Sequence, residues 1–172
     1  KTTYGNNGVT GYVEFPNNRG EFTDDTQMTL FTAEALLNSL GISKQEALEK
    51  KSELNELAHK SYLKWLHTQQ YYYSTAENKN LNFNKQHDGW LVERKELYKQ
   101  RAPGNTCLQA LNSGTLGTIK NPINNSKGCG TIMRVAPIGL YYKAEPEKAF
   151  EIACNFSAIT HGHPTGYLSA GV

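Results

Sequence analysis

Cysteine is scarce in this chain: Cys107, Cys129 and Cys154 are odd in number, far apart and free of any Cys-x-x-Cys pairing. That pattern gives neither a disulfide framework nor a structural zinc site, and it points to a reducing compartment, the cytoplasm. Long apolar runs are missing too. None approaches the roughly 20 residues of a membrane-spanning helix, and the first residues lack the apolar core of a signal peptide, so the expectation is a soluble protein without a membrane partner. Charge of one sign is not concentrated either, since 18 Lys and Arg stand against 16 Asp and Glu for a net charge of +2. Without a basic block, and with no arginine interleaving in Tyr71-Tyr72-Tyr73, a dedicated nucleic-acid binder is not indicated. Apolar residues are modestly under-represented, about 41% with Gly counted and Tyr left out, against roughly 45–50% in globular domains. That is still too apolar for a disordered chain.

The 172 residues present are enough for one domain with a sizeable core. Lys1 is not an initiator Met, and Gly166 to Val172 reads as the opening turns of a helix. The expectation is therefore a fragment of a longer chain, with residues 1–172 forming a single partial domain. Residues 1–22 are rich in Gly and Asn and read as a structured loop, with Thr10 to Phe15 able to be extended. Asp25 to Leu40 carries apolar stripes wide enough to predict a helix buried on most sides: Met28, Phe31 and Ala35 on one, Leu30, Ala33, Leu37 and Leu40 on another. A capping box at Ser43 and Glu46 opens a longer helix to about Thr68. Its single stripe of Leu54, Leu57, Ala58, Tyr62, Trp65 and Leu66 predicts a surface position, with Lys64 among the residues on the wet sides. Gln69 to Asn105 reads as an irregular excursion with one short helix, Thr106 to Leu111 as a brief helix, and Ser113 to Gly130 as a loop. Thr131 to Tyr142 reads as a helix containing Pro137, and Pro146 opens another that runs to the break at His161. The class is all-α.

Three places could carry chemistry. Asp24 and Asp25, flanked by Thr23 and Thr26, open a buried helix, where the N-terminal partial charge favours carboxylates. The plain alternative is helix capping by Thr23 or Asp24, but one cap suffices, and an all-oxygen set suits a hard cation such as Mg²⁺ or Mn²⁺. The loop from Asn124 to Arg134 is spaced by glycines and leads into a helix, a junction whose N–H groups can cradle a phosphate or diphosphate, although such loops are common without a ligand. Cys129 within it lacks a histidine nearby in sequence and reads as a small residue in a tight turn. Third, Thr160-His161-Gly162-His163-Pro164 pairs two histidines, a pattern in which one commonly touches ligand and the other is structural. His59, His67 and His87 receive no role, and Arg101 to Thr106 reads as a turn with a helix cap.

Together, Thr23-Asp-Asp-Thr-Gln-Met28, Arg101-Ala-Pro-Gly-Asn-Thr106, Gly128-Cys-Gly-Thr-Ile-Met-Arg-Val-Ala-Pro-Ile-Gly-Leu140 and Thr160-His-Gly-His-Pro-Thr-Gly-Tyr167 resemble the ADP-ribosylglycohydrolase family, in that family's order and over nearly the whole chain. The resemblance implies an all-helical fold around a two-metal Mg²⁺ or Mn²⁺ centre that cleaves the bond between ribose C1 of ADP-ribose and a protein side chain. Thr23, Asp24 and Asp25 match its metal-binding residues. Ser126, Lys127, Gly128, Cys129 and Gly130 match its phosphate and ribose cradle, and His161 its ribose-pocket histidine. The implied partner is an ADP-ribosylated protein or a small molecule containing ADP-ribose.

Two departures stand out. The family's first helix with its Glu-Phe pair is absent, as is its C-terminal Asp-x-Asp-Thr motif. Glu14-Phe15 lies too close to Thr23 to stand in, so the catalytic acid and base stay unassigned. Two Mg²⁺ ions want about six oxygens each. The expectation is that these residues alone bind metal weakly and do not turn over. The competing expectation is a non-catalytic ADP-ribose binder or a structural, crystallin-like relative.

Overall fold

A computed structural model describes residues 5–8, 10–11, 20–40, 51–70 and 89–172. The described residues form six α-helices, with two short 3-10 turns and no strand, so the protein is all-α as the periodicity predicts. The helices are α1 (Asp24–Asn38), α2 (Lys51–Gln70), α3 (Asn105–Asn112), α4 (Ala136–Tyr141), α5 (Pro146–Ala158) and α6 (Pro164–Gly171). None is long and apolar enough to cross a membrane.

Helix α1 is the central element, packing against α2, α4 and the turn Ile132–Arg134. Its buried face is Met28, Phe31 and Ala35, at the three- and four-residue steps of one helix side. It stops where the Ser39 side chain folds back, its Oγ donating to Leu36 O at 2.7 Å. Helix α5 lies on α4 and α6, and α2 reaches both α3 and α5. Tyr62 and Trp65 of α2, Phe31 of α1 and Phe156 of α5 are completely buried where these helices meet. Each such side chain contributes about 1.5–3 kcal/mol relative to an exposed one.

Several expectations need correction. Helix α1 is buried on most sides as expected, but the lining is partly polar: Gln27, Thr32 and Glu34 are buried, while Leu37 and Leu40, read as part of an apolar stripe, are 51% and 59% exposed. The second half of α2 is not a surface helix. Ser61, Lys64, Thr68 and Gln69 are buried there beside the apolar stripe. Lys64 reaches Glu34 Oε2 at 3.1 Å, while Ser61 Oγ donates to the same oxygen at 2.9 Å. A lysine read as wet is thus one half of a sealed ion pair, because α1 supplies a carboxylate that a one-helix pattern cannot reveal. The stretch from Thr131 to Tyr142 is two elements, since the 3-10 turn Ile132–Arg134 precedes α4, with Pro137 in the first turn of α4. There its missing N–H costs nothing. The capping box at Ser43 and Glu46, the pair Glu14-Phe15 and His87 lie outside the described residues.

Candidate active site

Thr23 occupies the N-cap position of α1, yet its side chain makes no cap bond. Thr23 Oγ1 instead donates to Asp25 Oδ2 at 2.5 Å. Asp24 turns inward, where it is buried, and its Oδ2 accepts from the backbone N–H of Gly104 at 3.2 Å. Asp24 N in turn donates to Arg101 O at 2.9 Å. The turn from Arg101 to Gly104 therefore clasps the head of α1 at both its backbone and its side chain. Ala102 in that turn has φ of 57°, a left-handed value that non-glycine residues seldom adopt. The turn is further anchored by Arg101, whose Nη1 donates to Glu21 Oε2 at 2.7 Å and whose guanidinium lies 4.3 Å from the Phe22 ring centre. Reading Arg101 to Thr106 as a turn and cap identified its shape but missed its cargo, the Asp24 carboxylate.

Burial pushes the Asp24 carboxyl above the usual carboxylate range; the Gly104 N–H opposes the shift and the neighbouring Asp25 charge adds to it. Two carboxylates crowded at a partly dry helix start, with a hydroxyl alongside, are a donor set that a hard divalent cation stabilises. Thr23, Asp24 and Asp25 thus fit such an ion in kind. Among the described residues they are joined by no cluster of three or more His, Cys, Asp or Glu, so the set is partial in number.

The second part of the site is the loop from Asn124 to Gly130, folded over His161. Asn124 is the staple: its Nδ2 donates to Thr160 O at 2.8 Å, while its Oδ1 accepts from Ser126 N at 3.0 Å and from Gly162 N at 3.1 Å. A Cβ at Gly162 would collide with the Asn124 carbonyl oxygen, so only glycine permits this approach. Gly128 and Gly130 bracket the imidazole. A Cβ on the first would sit 3.1 Å from His161 Nε2, and one on the second 3.0 Å from His161 Cε1. The N–H groups of Lys127, Cys129 and Gly130 donate to no protein group among the described residues, whereas Gly128 N bonds Ser126 Oγ at 3.2 Å. Cys129 is an exposed free thiol.

The two histidines separate as their chemistry allows. His163 is the N-cap of α6, its Nδ1 accepting from Thr165 N at 3.0 Å. His161 is 1% exposed, and burial, helped by the Arg134 charge, pulls its pKa down to about 4. Its Nδ1 lies 2.9 Å from Thr160 Oγ1, and that oxygen accepts from Arg134 Nη2 at 2.7 Å.

Helix α3 joins the two parts. It begins immediately after Gly104, which holds Asp24, and its Thr106 hydroxyl lies 3.2 Å from that of Ser126. A cleft of about 290 Å³ opens beside this contact, lined by Thr106, Gln109 and Ala110 of α3 and by Ile123, Asn124 and Ser126. Residues from opposite ends of the chain thus form one locality: an acidic helix start, a glycine loop and a buried neutral histidine. Asn124, Thr160 and Gly104 stand inside the motifs read from the sequence but receive no individual role there, since the group each one holds is distant in sequence or apparent only in the packed structure.

The family model for ADP-ribosylglycohydrolase matches residues 2–172, and the chain belongs to that family of glycosidic-bond hydrolases. No curated protein and no solved structure matches the chain.

Proposed function

We propose that this protein reverses mono-ADP-ribosylation, hydrolysing the bond between ribose C1 of ADP-ribose and a protein side chain. In this reading Thr23, Asp24 and Asp25 hold part of a two-metal Mg²⁺ or Mn²⁺ site. When bound, the metal supplies Lewis acidity and a more acidic water. The N–H groups between Ser126 and Gly130 hold the diphosphate, Lys127 adds positive charge beside them, and His161 meets the ribose. Holding the diphosphate and ribose together restricts C1 to one place relative to the acidic helix start, which is how positioning lowers the barrier.

The observation that carries the reading is the continuity from Asp24 through Gly104 and Thr106 to Ser126, which ties the acidic group to the anion cradle. The substrate is an ADP-ribosylated protein or a small molecule containing ADP-ribose, and the free thiols Cys107, Cys129 and Cys154 suit the cytoplasm.

The test is release of free ADP-ribose from an ADP-ribosylated protein with and without Mg²⁺ or Mn²⁺. Metal-dependent release by the full-length protein, lost in Asp24→Asn and Asp25→Asn, is the expected result, whereas residues 1–172 alone are expected to bind metal weakly without turnover. Binding of ADP-ribose without release would support the non-catalytic reading instead, and neither binding nor release would remove both.

A further inference from the structure

Arg134 is a guanidinium with 0% exposure in the middle of the core. Among the described residues no carboxylate pairs with it. Its Nη2 donates to Phe156 O at 3.1 Å and to Thr160 Oγ1 at 2.7 Å; its Nη1 meets only the sulfurs of Met28 and Cys107, at 3.8 and 3.7 Å; its plane lies 4.5 Å from the Tyr62 ring centre; and its Nε has no partner. A sealed cation without a counter-charge is costly for folding alone, and an apolar side chain of similar volume would pack there at least as well. Its shortest bond leads straight to the site.

We propose that Arg134, acting through Thr160, is a positioning residue that locks His161 as its Nε2–H tautomer and presents that N–H to the ligand under the glycine loop. The direction follows from donor inventory. A guanidinium only donates, so Thr160 Oγ1 accepts from Arg134, and the hydroxyl hydrogen is left for the 2.9 Å contact with His161 Nδ1. An imidazole nitrogen is a far better acceptor than the Cys107 sulfur nearby. With Nδ1 accepting, the single proton of a neutral ring resides on Nε2, the nitrogen that faces Gly128 and Gly130. Nε2 makes no hydrogen bond among the described residues and is not one of the sealed unpartnered atoms, so it is free to donate to an oxygen of the bound ligand. The ligand's identity rests on the ADP-ribose reading, whereas the tautomer does not.

Long-range ¹H–¹⁵N correlation spectra of the ¹⁵N-histidine-labelled protein near neutral pH read the tautomer directly, with His161→Gln assigning the signals. The expected spectrum has His161 protonated at Nε2 alone; an Nδ1–H ring or an averaged pair overturns the proposal. Thr160→Val and Arg134→Met are each expected to average the two tautomers, while Thr160→Ser keeps the lock. A single Nε2–H form retained in either of the first two variants also overturns it. The wild-type and Thr160→Ser spectra decide the matter if the other variants do not fold. Calorimetry with ADP-ribose should show binding weakened about twofold in Thr160→Val, where the donating tautomer is present only about half the time, and restored in Thr160→Ser. A locked tautomer in a protein that does not bind ADP-ribose would uphold the relay and remove the proposed function alone.

Discussion

The backbone N–H of Gly104 donates to the Asp24 carboxylate at 3.2 Å across a separation of 80 residues. This bond aims one of the two adjacent acids at the head of α1 inward, while its neighbour Asp25 stays exposed and bonded to Thr23. Gly104 has φ of −66°, a value proline shares, and a Cβ there would meet nothing. Gly104→Ala is therefore expected to be silent. Gly104→Pro removes the donor and sets its ring Cδ against the Asp24 carboxylate, displacing that side chain, and should weaken Mn²⁺ binding about 10–100-fold or more, the usual cost of losing a group that orients a metal ligand. Metal titration of the two variants checks this, with circular dichroism as the control for folding.

In the full-length protein, Asp24→Asn is expected to lower metal-dependent ADP-ribose release by about a hundredfold or more, since a ligand counts for at least as much as the group that orients it. Stability should move in the other direction at neutral pH. Burial raises the Asp24 carboxyl pKa, so the charged form is disfavoured in the folded state and a neutral amide relieves that penalty. Chromatographic assay of free ADP-ribose and a thermal melt in metal-free buffer give the two readings. Loss of activity accompanied by loss of stability would contradict a ligand role.

His161 predicts a pH dependence of stability. Its folded pKa, about 4, lies below the roughly 6.5 of an unfolded histidine, so between these values the unfolded chain binds the extra proton. The contribution is fully present above about pH 6.5 and is lost as the pH falls toward 4. It amounts to as much as about 3 kcal/mol, at 1.36 kcal/mol per pKa unit. Urea unfolding between pH 7.5 and 4.5 should lose stability more steeply in the wild type than in His161→Gln. Equal slopes would show that the ring is not held neutral.

Lys64→Met should destabilise the protein by about 3–5 kcal/mol, because among the described residues it leaves the buried Glu34 carboxylate with Ser61 as its one remaining side-chain partner. Replacing Glu34 and Lys64 together by Leu and Met should recover much of that loss, since the pair's desolvation cost disappears with its attraction. Chemical denaturation of the two single variants and the double variant measures the coupling.

Much of the fold is legible in short windows. The spacing of Met28, Phe31 and Ala35, the Pro146 start of α5 and the brief α3 after Pro103-Gly104 are local signals, and the helices lie where those signals put them. The break before α4 does carry a local signal, Pro137, which reads as lying within one helix whereas it stands in the first turn of α4; that the preceding 3-10 turn brings Arg134 against Tyr62 and Thr160 was not legible. Lys64 was misplaced for a related reason: periodicity along one helix carries no knowledge of a carboxylate on another.

For the site, residue types and motif order by themselves determined the candidate parts: an acidic pair at a helix start, a glycine loop, and two histidines around Gly162. Tertiary structure alone decided how those parts are used. It separated His161 from His163, one under the loop and the other capping α6, and it turned Asp24 toward Gly104. It also placed the Arg134 guanidinium, with no carboxylate partner among the described residues, one hydroxyl away from the ring of His161. The physical reason is reach. Helix and turn preferences act over a few residues, whereas the bonds that aim Asp24 and His161 come from Gly104 and Arg134, which meet them only after the helices have packed.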